Sequence, residues 1–240
     1  MGVLSNISEN SRSGKKQLAV LLDPEKTSEE QLAYVAGCID QGGIRLVLVG
    51  GSGYGENIDS FVKHLHRLTD AEIVLFPGSP AQFSADADAL LLLSLMNSRN
   101  ADLLVGQHVE SAMRIRKSGI EVIPMGYILV DGGRESSVQR ATGAIPLSAP
   151  DEIVKTAVAA ELLGKGLVYI EAGSGARVPV SEEIIRLVKQ NISVPLIIGG
   201  GIHTVEEMNA AFRAGADIVV VGNHFEECPE DIIVFGQAHC

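Results

Sequence analysis

The chain has 240 residues, 46% of them hydrophobic, with a formal net charge of -11. That length supports one large buried core and is the usual size of a single eight-stranded β/α barrel, although a generic domain length would suggest two domains. The acidic balance, with no basic stripe carrying interleaved aromatics, argues against a nucleic-acid partner, and it leaves anionic small molecules to be held by backbone amides or a metal ion.

In chain order, residues 1–16, with the polar run SNISENSRSGKK, read as a flexible lead-in to a catalytic barrel over 17–240. Short runs rich in Val, Ile and Leu follow: Leu18–Leu22, Arg45–Val49, Glu72–Phe76, Ala89–Leu93, Glu121–Ile128, Leu167–Ile170, Pro195–Ile198 and Ile218–Val221. They are nearly continuously apolar, as expected of parallel strands covered on both faces. Helical patterns separate most of them: Ser28–Gln41, Asn57–Leu68, Glu110–Ser118, Ala149–Leu163, Ser181–Gln190 and Thr204–Ala214, with a short last segment at Glu230–Phe235. Thr204 and Glu207 have capping-box spacing, and Gly215 follows as a stop. The third crossover, after Pro77-Gly78-Ser79-Pro80, is too short for a full helix. The fold class is therefore α/β, a single (β/α)8 TIM barrel with a short or irregular third crossover. Gly132–Pro150 is a long loop and a candidate lid.

The longest apolar stretch, around Ala89 to Met96, is far shorter than the ~20 residues that span a bilayer. No signal peptide is visible, and Cys38, Cys228 and Cys240 lack metal-ligand spacing. The expected location is the cytoplasm.

Barrel active sites gather at the C-terminal ends of the strands. There the sequence places Asp23, Gly50-Gly51-Ser52, Asp131-Gly132-Gly133, Glu171 to Gly175, Gly199-Gly200-Gly201 and Gly222-Asn223-His224. The turns after strands six to eight are rich in glycine, which lets backbone N–H groups approach a phosphate closely. Asp23 at the mouth suits a general base or a magnesium ligand, or else a helix cap. Ser52 alone is explained equally by turn chemistry. Glu171 suits a base that removes a proton from a substrate hydroxyl, or a carboxylate paired with Arg134 or Arg177. Only Lys26 among the lysines lies near the mouth, which disfavours Schiff-base chemistry. The side of strands two to five carries Tyr54, Phe76, Pro77, Phe83, Leu95, Met96, Leu103, Met125, Tyr127 and Ile128, as core or as an apolar groove.

The blocks Leu22-Asp23-Pro24-Glu25-Lys26, Gly50-Gly51-Ser52, Phe76-Pro77-Gly78, Tyr169 through Gly175, Gly199-Gly200-Gly201-Ile202 and Gly222-Asn223 resemble the geranylgeranylglyceryl phosphate synthase family. The similarity runs from about Leu18 to Glu226. It implies a prenyltransferase that joins sn-glycerol 1-phosphate to a polyprenyl diphosphate by an ether bond, using Mg2+. Carried over by motif, Asp23 and Ser52 would bind magnesium. Tyr169, Ile170, Glu171, Ala172, Gly173, Ser174, Gly175, Gly200, Gly201, Gly222 and Asn223 would bind glycerol 1-phosphate. Glu171 would act as base, with Asp23 as the second catalytic residue. Some archaeal relatives carry Lys just before the first Asp, where this chain has Leu21 and Leu22; Lys26 is the candidate replacement. Leu103, near the region that limits chain length in some relatives, suggests a C20 substrate. The family also implies a homo-oligomer, dimer or hexamer, and its lipid product leaves room for peripheral membrane contact. Two rival readings are a sugar-phosphate isomerase using Asp23 and Asp131, and a non-catalytic phosphometabolite-binding protein that needs only the glycine turns.

Overall fold

The computed structural model describes residues 2–51 and 58–238. Eight parallel strands close into a barrel in chain order. They are β1 Gln17–Leu22, β2 Leu46–Val49, β3 Glu72–Leu75, β4 Ala89–Leu95, β5 Glu121–Leu129, β6 Leu167–Glu171, β7 Leu196–Gly199 and β8 Ile218–Val221. The helices are α1 Val3–Arg12, α2 Glu29–Gln41, α3 Ile58–Leu65, α4 Gln107–Ser118, α5 Ser137–Thr142, α6 Pro150–Leu162, α7 Glu182–Lys189, α8 Val205–Ala214, α9 Asn223–Glu227 and α10 Asp231–Ala238. The expected barrel is thus present, and β3 passes to β4 without a helix, as the short third crossover implies. Among the described residues no helix is long and apolar enough to cross a membrane.

The continuous apolar runs hide a strict division of labour. On β1, Leu18, Val20 and Leu22 join the outer core beneath the helices, while Ala19 joins the core inside the barrel. On β6, Val168 and Ile170 face outward and Leu167 and Tyr169 inward. Successive side chains of a strand point to opposite faces, so Leu21, Asp23 and Glu171 inherit the inward direction. The parity of the strands thus aims both carboxylates at the mouth.

The lead-in differs from expectation. Residues 3–12 form α1, and its Val3 and Ile7 are buried with Ala19, Leu46, Leu167 and Ile218 in the inner core. The Glu121 carboxylate, at the start of β5, accepts the N–H groups of Val3 (2.6 Å) and Leu4 (3.1 Å). This satisfies orphan donors of the first turn from a neighbouring strand. Asn6 Nδ2 donates to Glu72 at the start of β3, at 2.6 Å. The segment reads as polar because only one narrow face is apolar. That face closes the end of the barrel opposite the mouth.

The helix expected over Glu110–Ser118 starts earlier, at Gln107, and is preceded by a π-helical turn at Asp102–Gly106. Asn100 starts this turn by accepting the Asp102 N–H at 3.0 Å. Ser94 Oγ donates to the Leu104 carbonyl at 3.1 Å and accepts from Lys165 Nζ at 2.7 Å. Among the described residues no carboxylate pairs with this half-buried lysine, which anchors the turn through Ser94, and desolvation lowers its pKa.

Removing Ile7 from this floor tests its packing. Ile7→Ala should lower unfolding stability by about 2–5 kcal/mol, the usual cost of truncating a buried aliphatic side chain. Urea denaturation measures it, and a loss under 0.5 kcal/mol would show that α1 is loosely attached.

Candidate active site

A cavity of about 610 Å³ opens at the C-terminal ends of the strands. Glu171, the last residue of β6, lies in its wall and is 7% exposed. Its Oε1 accepts the Gly173 N–H at 2.7 Å, and the Tyr169 hydroxyl donates to the carboxylate. Burial raises the Glu171 pKa, and these two hydrogen bonds oppose the rise without cancelling it. Tyr169 and Tyr127 are pushed well above the ordinary phenol range by burial and by the Glu171 charge, so both stay protonated. Phe76 stacks on Tyr169 at 5.5 Å and Tyr127 meets it edge-on at 5.3 Å, which fixes the ring that holds the carboxylate. No cation pairs with Glu171 among the described residues, so the structure leaves it as an isolated buried carboxylate.

Space for this group comes from glycine. A Cβ on Gly199 would meet the Tyr169 hydroxyl, and one on Gly200, at φ +81°, would strike Glu171 Oε1. Nothing in the described protein accepts the N–H groups of Ser174, Gly175, Gly200 or Gly201, and all four residues line the cavity. Ser174 Oγ donates to Asn223 Oδ1 at 2.9 Å and ties the turn after β6 to that after β8. Gly222 and Asn223 also line the cavity. Unspent backbone donors on adjacent turns are an arrangement that suits an anion.

Not every residue of the expected set contributes. Ile170 faces the helix layer, and its backbone pairs with Ile128 and Ile198. It does not reach the cavity because it sits between two inward residues of the same strand. The Ala172 N–H goes to the Gly199 carbonyl at 3.0 Å and the Gly173 N–H to Glu171, so these two serve the turn itself.

On the β1 side Asp23 is 9% exposed and lines the same cavity. Its Oδ1 accepts the Glu25 N–H at 3.0 Å, and Lys26 Nζ stands 3.9 Å from Oδ2. Lys26 itself bridges to Glu226 at 2.9 Å, joining β1 to α9. Gly51 packs so closely that a Cβ there would overlap the Asp23 carboxylate. Ser52 and Tyr54 lie outside the described residues. No cluster of three His, Cys, Asp or Glu residues is placed to hold a metal among the described residues. One carboxylate still fits Mg2+, which keeps several waters and takes its remaining ligands from substrate phosphates.

The other half of the cavity is apolar. Phe76, Phe83, Leu95, Leu103 and Tyr127 line it, as expected of a groove, whereas Met96, Met125 and Ile128 do not. Met125 is in the inner core and Ile128 in the outer one. The expected lid holds the short helix α5, capped by a reciprocal Ser136–Gln139 box, and Arg134, Val138 and Arg140 reach the cavity from it. The Ser136–Gln139 box spacing is visible in the sequence, and Arg134 directly follows Gly132-Gly133 there, whereas Arg140 has no local signal. Asp131 is exposed, accepts the Gly133 N–H at 2.9 Å and does not line the cavity. That removes the paired-aspartate isomerase reading. His203 and His224 lie at the mouth with rings 6.0 Å apart, and His224 Nε2 pairs with Asp231 at 2.8 Å.

Comparison with known proteins agrees with this geometry. The PcrB family model matches residues 11–236. The chain is 42% identical over 221 residues to the geranylgeranylglyceryl phosphate synthase of Spirosoma linguale, covering 91% of this chain and 89% of that one. It is 40% identical over 222 residues to that of Pyrococcus abyssi, covering 92% and 88%. The crystal structure of (S)-3-O-geranylgeranylglyceryl phosphate synthase from Thermoplasma acidophilum in complex with substrate sn-glycerol-1-phosphate superposes with a TM-score of 0.92, at 33% identity over 99% of this chain and 98% of that one.

The buried carboxylate has a thermodynamic signature. A group whose folded pKa is raised stabilises the fold fully below its unfolded pKa, and that stability is lost as pH rises through the folded pKa. Glu171→Gln should therefore leave the melting temperature at neutral pH equal or higher, with the gain shrinking toward acid pH. Calorimetry across pH measures it; a clear drop at neutral pH would mean that the ionised carboxylate stabilises the fold.

Proposed function

The chain belongs to the PcrB family, and from that premise we infer a prenyltransferase that forms geranylgeranylglyceryl phosphate from sn-glycerol 1-phosphate and geranylgeranyl diphosphate. The observation that carries this reading is the isolated Glu171 carboxylate, set between unspent turn amides and an apolar cavity. A phosphate, a hydroxyl and a hydrocarbon chain each find their complement in one space.

The glycerol phosphate sits with its phosphate on the N–H groups of Ser174, Gly175, Gly200 and Gly201 and beside Asn223. One of its two free hydroxyls then faces Glu171. Glu171 accepts the hydroxyl proton while the oxygen attacks C1 of the prenyl chain. The bond from C1 to the diphosphate oxygen breaks, and its electron pair leaves with diphosphate. Tyr169 holds the carboxylate in place through its hydroxyl and keeps its own proton. The prenyl chain lies along Phe76, Phe83, Leu95 and Leu103. Asp23 and Ser52 would hold Mg2+, which would supply positive charge to neutralise the leaving diphosphate. Lys26, at the same corner, adds a fixed positive charge and stands in for the strand-one lysine that Leu21 and Leu22 displace. The ligand chemistry gives the non-catalytic reading no use for a buried base.

Incubation with labelled sn-glycerol 1-phosphate, Mg2+ and prenyl diphosphates of several lengths should yield an ether lipid, with C20 preferred. No product at any length would overturn the assignment. Glu171→Gln should lower turnover by roughly 100-fold or more, the usual range for a general base. Because the Glu171 pKa is raised, the acid limb of kcat should lie above the ordinary carboxylate range. Asp23→Asn should remove most turnover yet leave glycerol 1-phosphate binding within about twofold, since its work is on the diphosphate side. Equal loss of binding and turnover would refute that division.

A further inference from the structure

The run Asp131-Gly132-Gly133-Arg134 takes no part in the mechanism above, yet it is docked on the turn after β6. Asp131 accepts the Gly133 N–H at 2.9 Å, and Gly133 takes φ +76°, a left-handed conformation that glycine adopts without strain. The Gly132 carbonyl accepts the Arg177 N–H at 2.9 Å and the Val178 N–H at 3.4 Å. A Cβ on Gly132 would collide with the Ala172 carbonyl and the Ala176 side chain, and one on Gly173 would collide with Ser136. Residues 132–136 therefore lie flush against the segment 172–178, which carries Ser174 and Gly175. This contact fixes where the Arg134 side chain can reach. Its guanidinium stands 3.8 Å from the point where a Cβ on Gly175 would lie, and it lines the cavity.

Among the described residues four lysine and arginine side chains line this cavity. Lys26 is bridged to Glu226 and Arg140 to Glu135. Arg114 lies over the Phe83 ring in the apolar half and donates to the Pro80 carbonyl. Arg134 is the one whose guanidinium has neither a carboxylate nor a hydrogen-bond acceptor among the described residues. The anion side of the cavity has a matching deficit. The amides of Ser174, Gly175, Gly200 and Gly201 and the side chain of Asn223 carry no net charge, and Glu171 beside them is acidic. A phosphate monoester brings close to two negative charges at neutral pH. A guanidinium fork matches two phosphate oxygens at once and is always charged. We propose that Arg134 is a phosphate-binding residue: it grips the phosphate of the alcohol substrate from the side of the loop after β5, together with the amides of Ser174 and Gly175, and adds the full positive charge that these amides lack. This rests on the reading that the alcohol is sn-glycerol 1-phosphate. Arg134 is exposed, so rotation of one side chain suffices while its backbone stays docked.

The test is calorimetric titration of the full chain with three probes: sn-glycerol 1-phosphate, inorganic phosphate, and geranylgeranyl diphosphate with Mg2+ in the absence of alcohol. Arg134→Ala should weaken the first two by about 10- to 100-fold, the scale of a lost hydrogen bond to a charged group. Arg134→Lys keeps the charge but not the fork, and its affinities should fall in between. Geranylgeranyl diphosphate should bind both variants within about twofold of the parent chain, as expected of a separate site. The melting temperature should move by no more than about 2 °C, since the side chain is exposed. Arg140→Ala, which removes a neighbouring arginine already held by Glu135, should leave affinity for all three probes within about twofold. Unchanged binding of both phosphates by Arg134→Ala would overturn the proposal. So would a loss confined to geranylgeranyl diphosphate, which would put the arginine on the other substrate, or an equal loss in Arg140→Ala, which would reduce the effect to general charge. If the parent chain binds inorganic phosphate in an Arg134-dependent way but not sn-glycerol 1-phosphate, the phosphate-binding role stands and the reading of the alcohol falls. Binding of neither by the parent chain sinks both.

Discussion

The desolvation of Glu171 is the constraint around which the mouth is built. Taking a carboxylate out of water disfavours its charge, and the protein meets this with a single backbone N–H and a single phenol. That is enough to hold the group and too little to lower its pKa. A fuller hydrogen-bond shell or a paired arginine would give a more comfortable carboxylate and a weaker base. The glycines at 199 and 200 follow from the same demand, since any side chain there would occupy the volume of the carboxylate or of its tyrosine partner. The open turns then come almost as a by-product: glycines placed for clearance also leave amides unspent.

Much of the fold was legible because parallel strands buried on both faces announce themselves as apolar runs. The same feature concealed which face is which. Leu167 and Val168 look alike in sequence, yet one fills the barrel and the other packs beneath the helices. Polar residues resolve that ambiguity: Asp23 and Glu171 must face the mouth, and counting back by twos from them recovers the inward set. Read this way, Ile170 could not have been a ligand through its side chain. The first helix was misread for the opposite reason, since its narrow apolar face is diluted by Ser and Asn in a composition that resembles a linker.

The two halves of the cavity answer to different physics. On one side, adjacent turns present amides, and their donors are pre-oriented before any ligand arrives. On the other, apolar side chains from the turn after β3, from β4, from the π-helical turn before α4 and from β5 offer surface with little directional demand. Fidelity toward the glycerol phosphate is therefore expected to be sharp, since a missing or misplaced polar group leaves a buried partner unmet. Discrimination among hydrocarbon lengths is expected to be graded, because each methylene adds only about 0.8 kcal/mol.

The helix that seals the far end of the barrel has a bearing on traffic. With Val3 and Ile7 plugging that end, the described residues leave the cavity one opening, at the mouth, for the alcohol, the diphosphate ester and both products of the proposed reaction. A greasy product that lingers there obstructs both reactants together. Turnover then becomes a queueing problem, and whatever draws the finished lipid away from the threshold governs the pace as much as bond making does.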